Sequence, residues 1–134
     1  MMVIYSKTAK YGIKALRYLA GGDSREFTTV RSVAEAVDVP ADFLGKIFQS
    51  LARENVLESQ KGRGGGFRLS RPGNQISLLE VVQTIDGYDV FERCIFDTKE
   101  CGEGGTCPLH DDWIPIREDL RSLLADKTIA DLTE

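Results

Sequence analysis

Residues 40–70 read PADFLGKIFQSLARENVLESQKGRGGGFRLS. Over about 40–54, Phe43, Leu44, Ile47, Phe48, Leu51 and Ala52 recur at i, i+1, i+4, i+5, i+8 and i+9, the spacing of one buried helical face. The opposite face carries Ala41, Asp42, Gly45, Lys46, Gln49, Ser50 and Arg53. Pro40 suits the first helical position. Residues 56–60 and 67–70 then read as strands, joined by the glycine-rich, basic tip Lys61-Gly62-Arg63-Gly64-Gly65-Gly66. An amphipathic helix followed by a basic hairpin is the reading half of a winged helix-turn-helix.

The flanking sequence completes that arrangement. Ala9, Gly12, Ile13, Leu16 and Ala20 predict a first helix over 6–20, with Ser6 as N-cap and Gly21-Gly22 as its stop. Val30, Val33, Ala34 and Val37 predict a second over 29–37, and Asp38-Val39-Pro40 the turn into the third. Beyond Pro72-Gly73, Ser77-Leu78-Leu79-Glu80 has the form of a capping box opening a helix that closes at Asp86-Gly87. Residues 94–110, with Gly102, Gly104, Gly105 and Pro108, read as a loop. A last helix over 111–126 carries the apolar stripe Trp113, Ile116, Leu120, Leu123 and Leu124, after which Thr128 and Asp131 cap a final turn. The expected fold is mainly α with a small β-hairpin wing and a long C-terminal helix. Its parts are a head over 1–73, a connecting helix and cysteine-rich loop over 74–110, and a long helix and turn over 111–134 whose apolar stripe needs a partner, either its own domain or a second chain.

Composition bounds the function. The chain has 134 residues, 42% hydrophobic and 28% charged, the make-up of one globular domain. Its longest apolar run, residues 1–5, is too short for a membrane span or a signal segment, so the expected address is the cytoplasm and no membrane partner is expected. The net charge of −4 conceals a split: residues 1–71 carry an excess of five positive charges and residues 72–134 an excess of nine negative ones. The basic half suits a polyanion. Lys61 to Phe67 lacks the order of a nucleotide-binding phosphate loop and leads into a strand. With one histidine and no nucleophile motif, neither an enzyme nor a small-molecule substrate is expected.

Lys46, Gln49, Ser50 and Arg53 have the donors and acceptors that base edges and phosphates need. Gly45 costs about 1 kcal/mol of helix propensity relative to alanine, a cost that close approach of another surface would explain. Lys61 and Arg63 supply charge at the wing, and its glycines let backbone N–H groups approach phosphate. Lys7, Lys10, Arg53 and Arg68 are the expected phosphate contacts of the head, on double-stranded DNA.

The three cysteines and the single histidine all fall within residues 94–110, spaced C-x6-C-x5-C-x2-H as Cys94, Cys101, Cys107 and His110. Thiolates are soft ligands for iron–sulfur clusters and for zinc, and imidazole suits either. Zinc knuckles pair ligands two residues apart, a spacing present only between Cys107 and His110. Metal-free thiol sensing is a third reading, and spacing alone separates none of the three.

Along nearly its whole length the chain resembles IscR-type (Rrf-type) transcription regulators. The resemblance rests on Ser6-Lys7, Tyr11 and Ala15-Leu16, on Phe43-Leu44, Ile47-Phe48 and Leu51, on Gly62 to Phe67 and Ser77 to Val82. It continues through Arg93-Cys94, Cys101, Cys107, His110 and Trp113. It implies a homodimer of winged helices joined through the 111–126 helix and reading a pseudo-palindromic operator. It further implies a [2Fe–2S] or [4Fe–4S] cluster on Cys94, Cys101 and Cys107. In the cluster-assembly branch a histidine, here His110, completes the set. In a nitric-oxide-sensing branch an acid from the partner's first helix does so, and here Lys10 stands at that position, which favours [2Fe–2S]. The x6 gap is one residue longer than in the cluster-assembly branch. Gly45 stands where that branch carries an acid that discriminates operators.

Overall fold

A computed structural model describes residues 6–22, 25–88, 91–92 and 109–133, with His110 described by its backbone alone. Helix α1 spans Lys7–Gly21, α2 Val30–Val37 and α3 Ala41–Arg53. Strands β1 (Leu57–Gln60) and β2 (Gly66–Leu69) follow, then α4 (Leu78–Asp86) and α5 (His110–Asp126), with short 3-10 turns at Gly73–Gln75 and Ala130–Leu132. The expected order of elements is therefore present.

Helices α1, α2 and α4 each begin at a side-chain cap. The Ser6 hydroxyl accepts from the Ala9 N–H at 3.0 Å, Thr29 caps α2 by accepting from Ser32 N–H at 3.2 Å, and Ser77 caps α4 by accepting from Glu80 N–H at 3.0 Å. Pro40 lies one place outside α3 and makes no side-chain cap, so Asp42 in the first turn and Arg53 in the last answer the helix dipole instead. The Glu80 carboxylate does not close a capping box; it pairs with Arg71. Left-handed Asp38 (φ 59°) turns α2 into α3, and left-handed Asn55 (φ 62°) turns α3 into β1.

The wing is a two-stranded antiparallel hairpin in the register Leu57 opposite Leu69 and Gln60 opposite Gly66. Residues 27–29 add a rung that periodicity did not foretell: Thr28 N–H donates to Phe67 O at 2.9 Å, and Phe67 N–H donates back at 2.8 Å. This rung revises the role of the tip glycines. A Cβ on Gly65 would lie 2.2 Å from Gln60 O, and one on Gly66 2.3 Å from Thr28 O. The Gly65 N–H is already bonded to Gly62 O at 3.0 Å. These two glycines admit the chain's own backbone; only Gly62 and Gly64, both at positive φ, face open space.

One core runs through all three expected parts. Leu16, Val33, Leu44, Phe48, Leu51, Val56, Ile76, Val81, Val82 and Ile129 are fully buried together, with Leu124 nearly so. The chain's end is tied in by main-chain bonds: Leu78 N–H donates to Lys127 O at 2.9 Å, and Ile129 N–H to Ile76 O at 3.0 Å. Thr128 and Asp131 cap the last turn reciprocally, Thr128 N–H donating to Asp131 Oδ2 at 2.9 Å and Asp131 N–H to the Thr128 hydroxyl at 3.3 Å. The first of these bonds, supported by the Thr128 hydroxyl and Lys127, holds the Asp131 carboxyl below the ordinary carboxylate value. Among the described residues no helix is long and apolar enough to cross a membrane.

Candidate nucleic-acid interface and cysteine segment

Helix α3 buries Leu44, Ile47, Phe48 and Leu51 and turns Asp42, Lys46, Gln49 and Arg53 to solvent. The Ser50 hydroxyl donates to Lys46 O at 3.3 Å and accepts from Arg53 Nη2 at 3.1 Å, which braces Arg53 along the helix. A Cβ on Gly45 would meet nothing within 4 Å. Among the described residues, then, no neighbour requires glycine there.

Phe43, expected in the buried stripe, is 43% exposed. Its ring meets Tyr11 of α1 edge-on at 5.6 Å, and Lys7 Nζ lies 5.6 Å from the Tyr11 centroid. Lys7, Tyr11 and Phe43 thus join the start of α1 to the start of α3 in one surface. Sequence reasoning placed Phe43 inside because periodicity gives its angle on α3, and that angle falls at the rim where α1 covers only one side of the ring. Lys10 is exposed beside this surface.

Lys61 and Arg63 project at the exposed wing tip. Arg68 does not act with them. Its Nε donates to Glu58 Oε2 at 2.8 Å, its Nη1 to Arg25 O at 2.7 Å, and its guanidinium lies 4.2 Å from the Phe27 ring centroid. Those bonds fasten the base of the wing to the segment entering α2. Arg68, expected to contact phosphate, is thus also a structural residue of the wing's base, with its side chain one-third exposed.

The stripe on α5 divides. Leu124 is 6% exposed and sits in the core, and Leu120 packs against it. Ile116 and Leu123 are 57% and 51% exposed, while Trp113 is half-buried. Five residues expected to share one interface therefore serve two faces, because at about 100° per residue 113, 120 and 124 fall close together around the helix while 116 and 123 lie to one side of them. Pro115 interrupts the hydrogen bonds of the second turn, and Arg117 is largely buried; among the described residues its Nε and Nη1 have no hydrogen-bond partner, and its Nη2 lies 3.8 Å from Glu118 Oε1.

Cys94, Cys101 and Cys107 lie outside the described residues, and His110 is placed by its backbone as the first residue of α5. Among the described residues no group of three His, Cys, Asp or Glu could hold one ion.

The comparisons with known proteins agree with this architecture. The family model Rrf2, iron-dependent transcriptional regulator, matches residues 5–134. A Mycobacterium tuberculosis (strain H37Rv) protein that carries the name of an HTH-type transcriptional regulator is 34% identical over 127 residues, covering 95% of this chain and 79% of that one. One of that name from Aquifex aeolicus is 28% identical over 132 residues, covering 97% and 91%. In fold the chain is similar to CymR (YrzC), the global cysteine regulator of B. subtilis, with TM-score 0.82, 21% identity and coverage of 98% and 96%. It is also similar to T. potens IscR, with TM-score 0.75, 18% identity and coverage of 95% and 83%. A winged head with an open polar face on its third helix, matched end to end by such proteins, places the chain in the Rrf2 family of DNA-binding transcriptional regulators, which are not enzymes.

Proposed function

We propose that the chain is a cytoplasmic homodimer whose affinity for a pseudo-palindromic duplex is set by an iron–sulfur centre, [2Fe–2S] in preference to [4Fe–4S] or zinc. The observation that carries this reading is that all three cysteines and the only histidine fall within residues 94–110 of a chain from an iron-dependent family. Three thiolates and an imidazole fit such a centre by their softness and charge. Cys94, Cys101, Cys107 and His110 are the residues that would hold it. When bound, the centre supplies a group that oxidants, reductants or nitric oxide alter. A difference in duplex affinity between loaded and empty chains of about 1–3 kcal/mol is typical of such coupling.

On DNA, Lys46 and Gln49, with Ser50 beside them, read base edges from the major groove, and Gly45 lets the helix sit close. Lys61 and Arg63 enter the adjacent minor groove, and Lys7, Lys10 and Arg53 neutralise phosphates. Residues 1–73 supply this reading surface, 74–110 the sensing segment and 111–134 the dimer helix. Exposed Ile116 and Leu123, flanked by Trp113, support self-association through α5.

Anaerobic purification tests the centre. The expected product is coloured and carries about two iron and two acid-labile sulfide per chain. Cys101→Ala is expected to fold and dimerise but to lose visible absorption and the dependence of duplex affinity on iron. Stoichiometric zinc without sulfide would replace the reading with a structural zinc site. A metal-free protein whose affinity follows reversible thiol oxidation would replace it with thiol sensing.

A further inference from the structure

Helices α1, α3 and α4 meet at Gly12. An ideal Cβ there would lie 2.6 Å from Ile85 Cδ1 of α4 and 3.3 Å from Ile47 Cγ2 of α3. Alanine is the better helix former, so a glycine in the middle of α1 marks a tight contact, in which one more carbon would push aside the end of the Ile85 side chain and press on Ile47. Ile47 lies between Lys46 and Phe48 on α3, with Gln49 and Ser50 two and three positions on. Anything that displaces Ile47 therefore moves the side chains that face the bases.

The same end of α4 is tied to the start of α1. The Ser6 N–H donates to Asp86 Oδ2 at 2.9 Å, and the Ser6 hydroxyl donates to Asp86 Oδ1. Ile85 and its neighbour Asp86 thus grip α1 at two points, Gly12 and Ser6. The interior is close-packed, and such contacts transmit a displacement instead of absorbing it. Gly45, by contrast, has open space where its Cβ would be, so the two helix glycines do different work.

We infer that Gly12, Ile85 and Ile47 form the positioning contact through which the end of α4 sets the seating of the reading helix on DNA. The contact governs base recognition, whereas Lys61 and Arg63 stand on the wing, outside the three helices that it joins. It rests on α3 being the reading helix. If residues 94–110 hold the sensed centre as proposed above, α4 is also the element that enters that segment.

The test uses the full chain and two duplexes: one that the unmodified protein selects from a randomised library, and one of unrelated sequence. Gly12→Ala is expected to lower affinity for the selected duplex about tenfold. Affinity for the unrelated duplex should change less than about twofold, with the same salt dependence and an unchanged or higher melting temperature. Ile85→Val removes only Cδ1, the atom that the new Cβ would strike. Placed in the Gly12→Ala chain, it is expected to restore selected-duplex affinity to within about twofold of the unmodified protein. Should Gly12→Ala fail to fold, Ile85→Val alone serves: loss of the Cδ1 contact is expected to weaken selected-duplex binding about threefold with the unrelated duplex unaffected. The inference is overturned by unchanged selected-duplex affinity, by equal losses on both duplexes, or by failure of valine to restore binding. Both preparations, with and without iron and sulfide, are measured. If the two behave alike while the Gly12 effect stands, it is the cluster reading that has failed and not this one.

Discussion

Helices α3 and α5 are both amphipathic, yet they show opposite chemistry to the outside. Helix α3 hides Leu44, Ile47, Phe48 and Leu51 and exposes Lys46, Gln49 and Arg53. Helix α5 puts Leu124 inside and leaves Ile116 and Leu123 more than half exposed. A face of donors and cations suits the wet, charged surface of a duplex, whereas exposed aliphatic side chains suit a dry protein contact. The partner of each helix is thus written on the side that its own core does not use.

The largest expected effect comes from charging the apolar face of α5. Ile116→Asp with Leu123→Asp would place unpaired carboxylates in the proposed dimer contact, at a cost of roughly 3–5 kcal/mol for each uncompensated buried charge. The expected result is a monomer by light scattering, with binding to a palindromic duplex reduced by two orders of magnitude or more. A mass that stays at twice that of the monomer breaks the contrast between the helices. Leu124→Ala probes the inward face of the same helix. It is expected to lower unfolding free energy by about 2–5 kcal/mol in urea titration while leaving the dimer mass unchanged.

Smaller effects are expected on α3 and the wing. Gln49→Ala should relax preference at one base pair by about 1–3 kcal/mol, read from competition among single-base variants of the selected duplex, with no change in melting temperature. Arg63→Ala should reduce the slope of log affinity against log salt by about 0.9, whereas Arg68→Ala should leave that slope unchanged and loosen the wing.

The smallest effect is at Asp131, whose folded value lies below the ordinary carboxylate one. A carboxyl of depressed folded value stabilises above its unfolded value and loses that contribution as pH falls through the folded one. The exposed Asp131→Asn variant should therefore melt slightly below the unmodified protein at neutral pH and converge with it in acid.

Much of the head was legible because short-range chemistry sets it. Ser6 and Ser77 each announce a helix start one residue before the chain adopts it, and Thr128 with Asp131 announces the last turn. The Thr28–Phe67 rung was not legible, since a single bridge leaves no alternation to read. Which tip glycines serve the chain's own backbone depended on that rung, and so could not be told from sequence either. Arg68 reads as a free cation until Glu58, Arg25 and Phe27 are brought around it from three separate stretches. The α5 stripe was read as one face because periodicity reports angle, and the split appears only once the core claims Leu124. The polar face of α3 was legible because it is local to one helix, whereas the Gly12 junction needs three helices to be seen.

The bonds between Lys127 and Leu78, and between Ile129 and Ile76, have a consequence during synthesis. The chain emerges from the ribosome with its reading helix early and Ile129 late, yet Ile129 is among the fully buried side chains of the core. A nascent chain halted within α5 therefore lacks the segment that seals the head. Translation cut short there is expected to leave Ile76 and its neighbours without their cover, so that the head would not close until the last residues have left the ribosome.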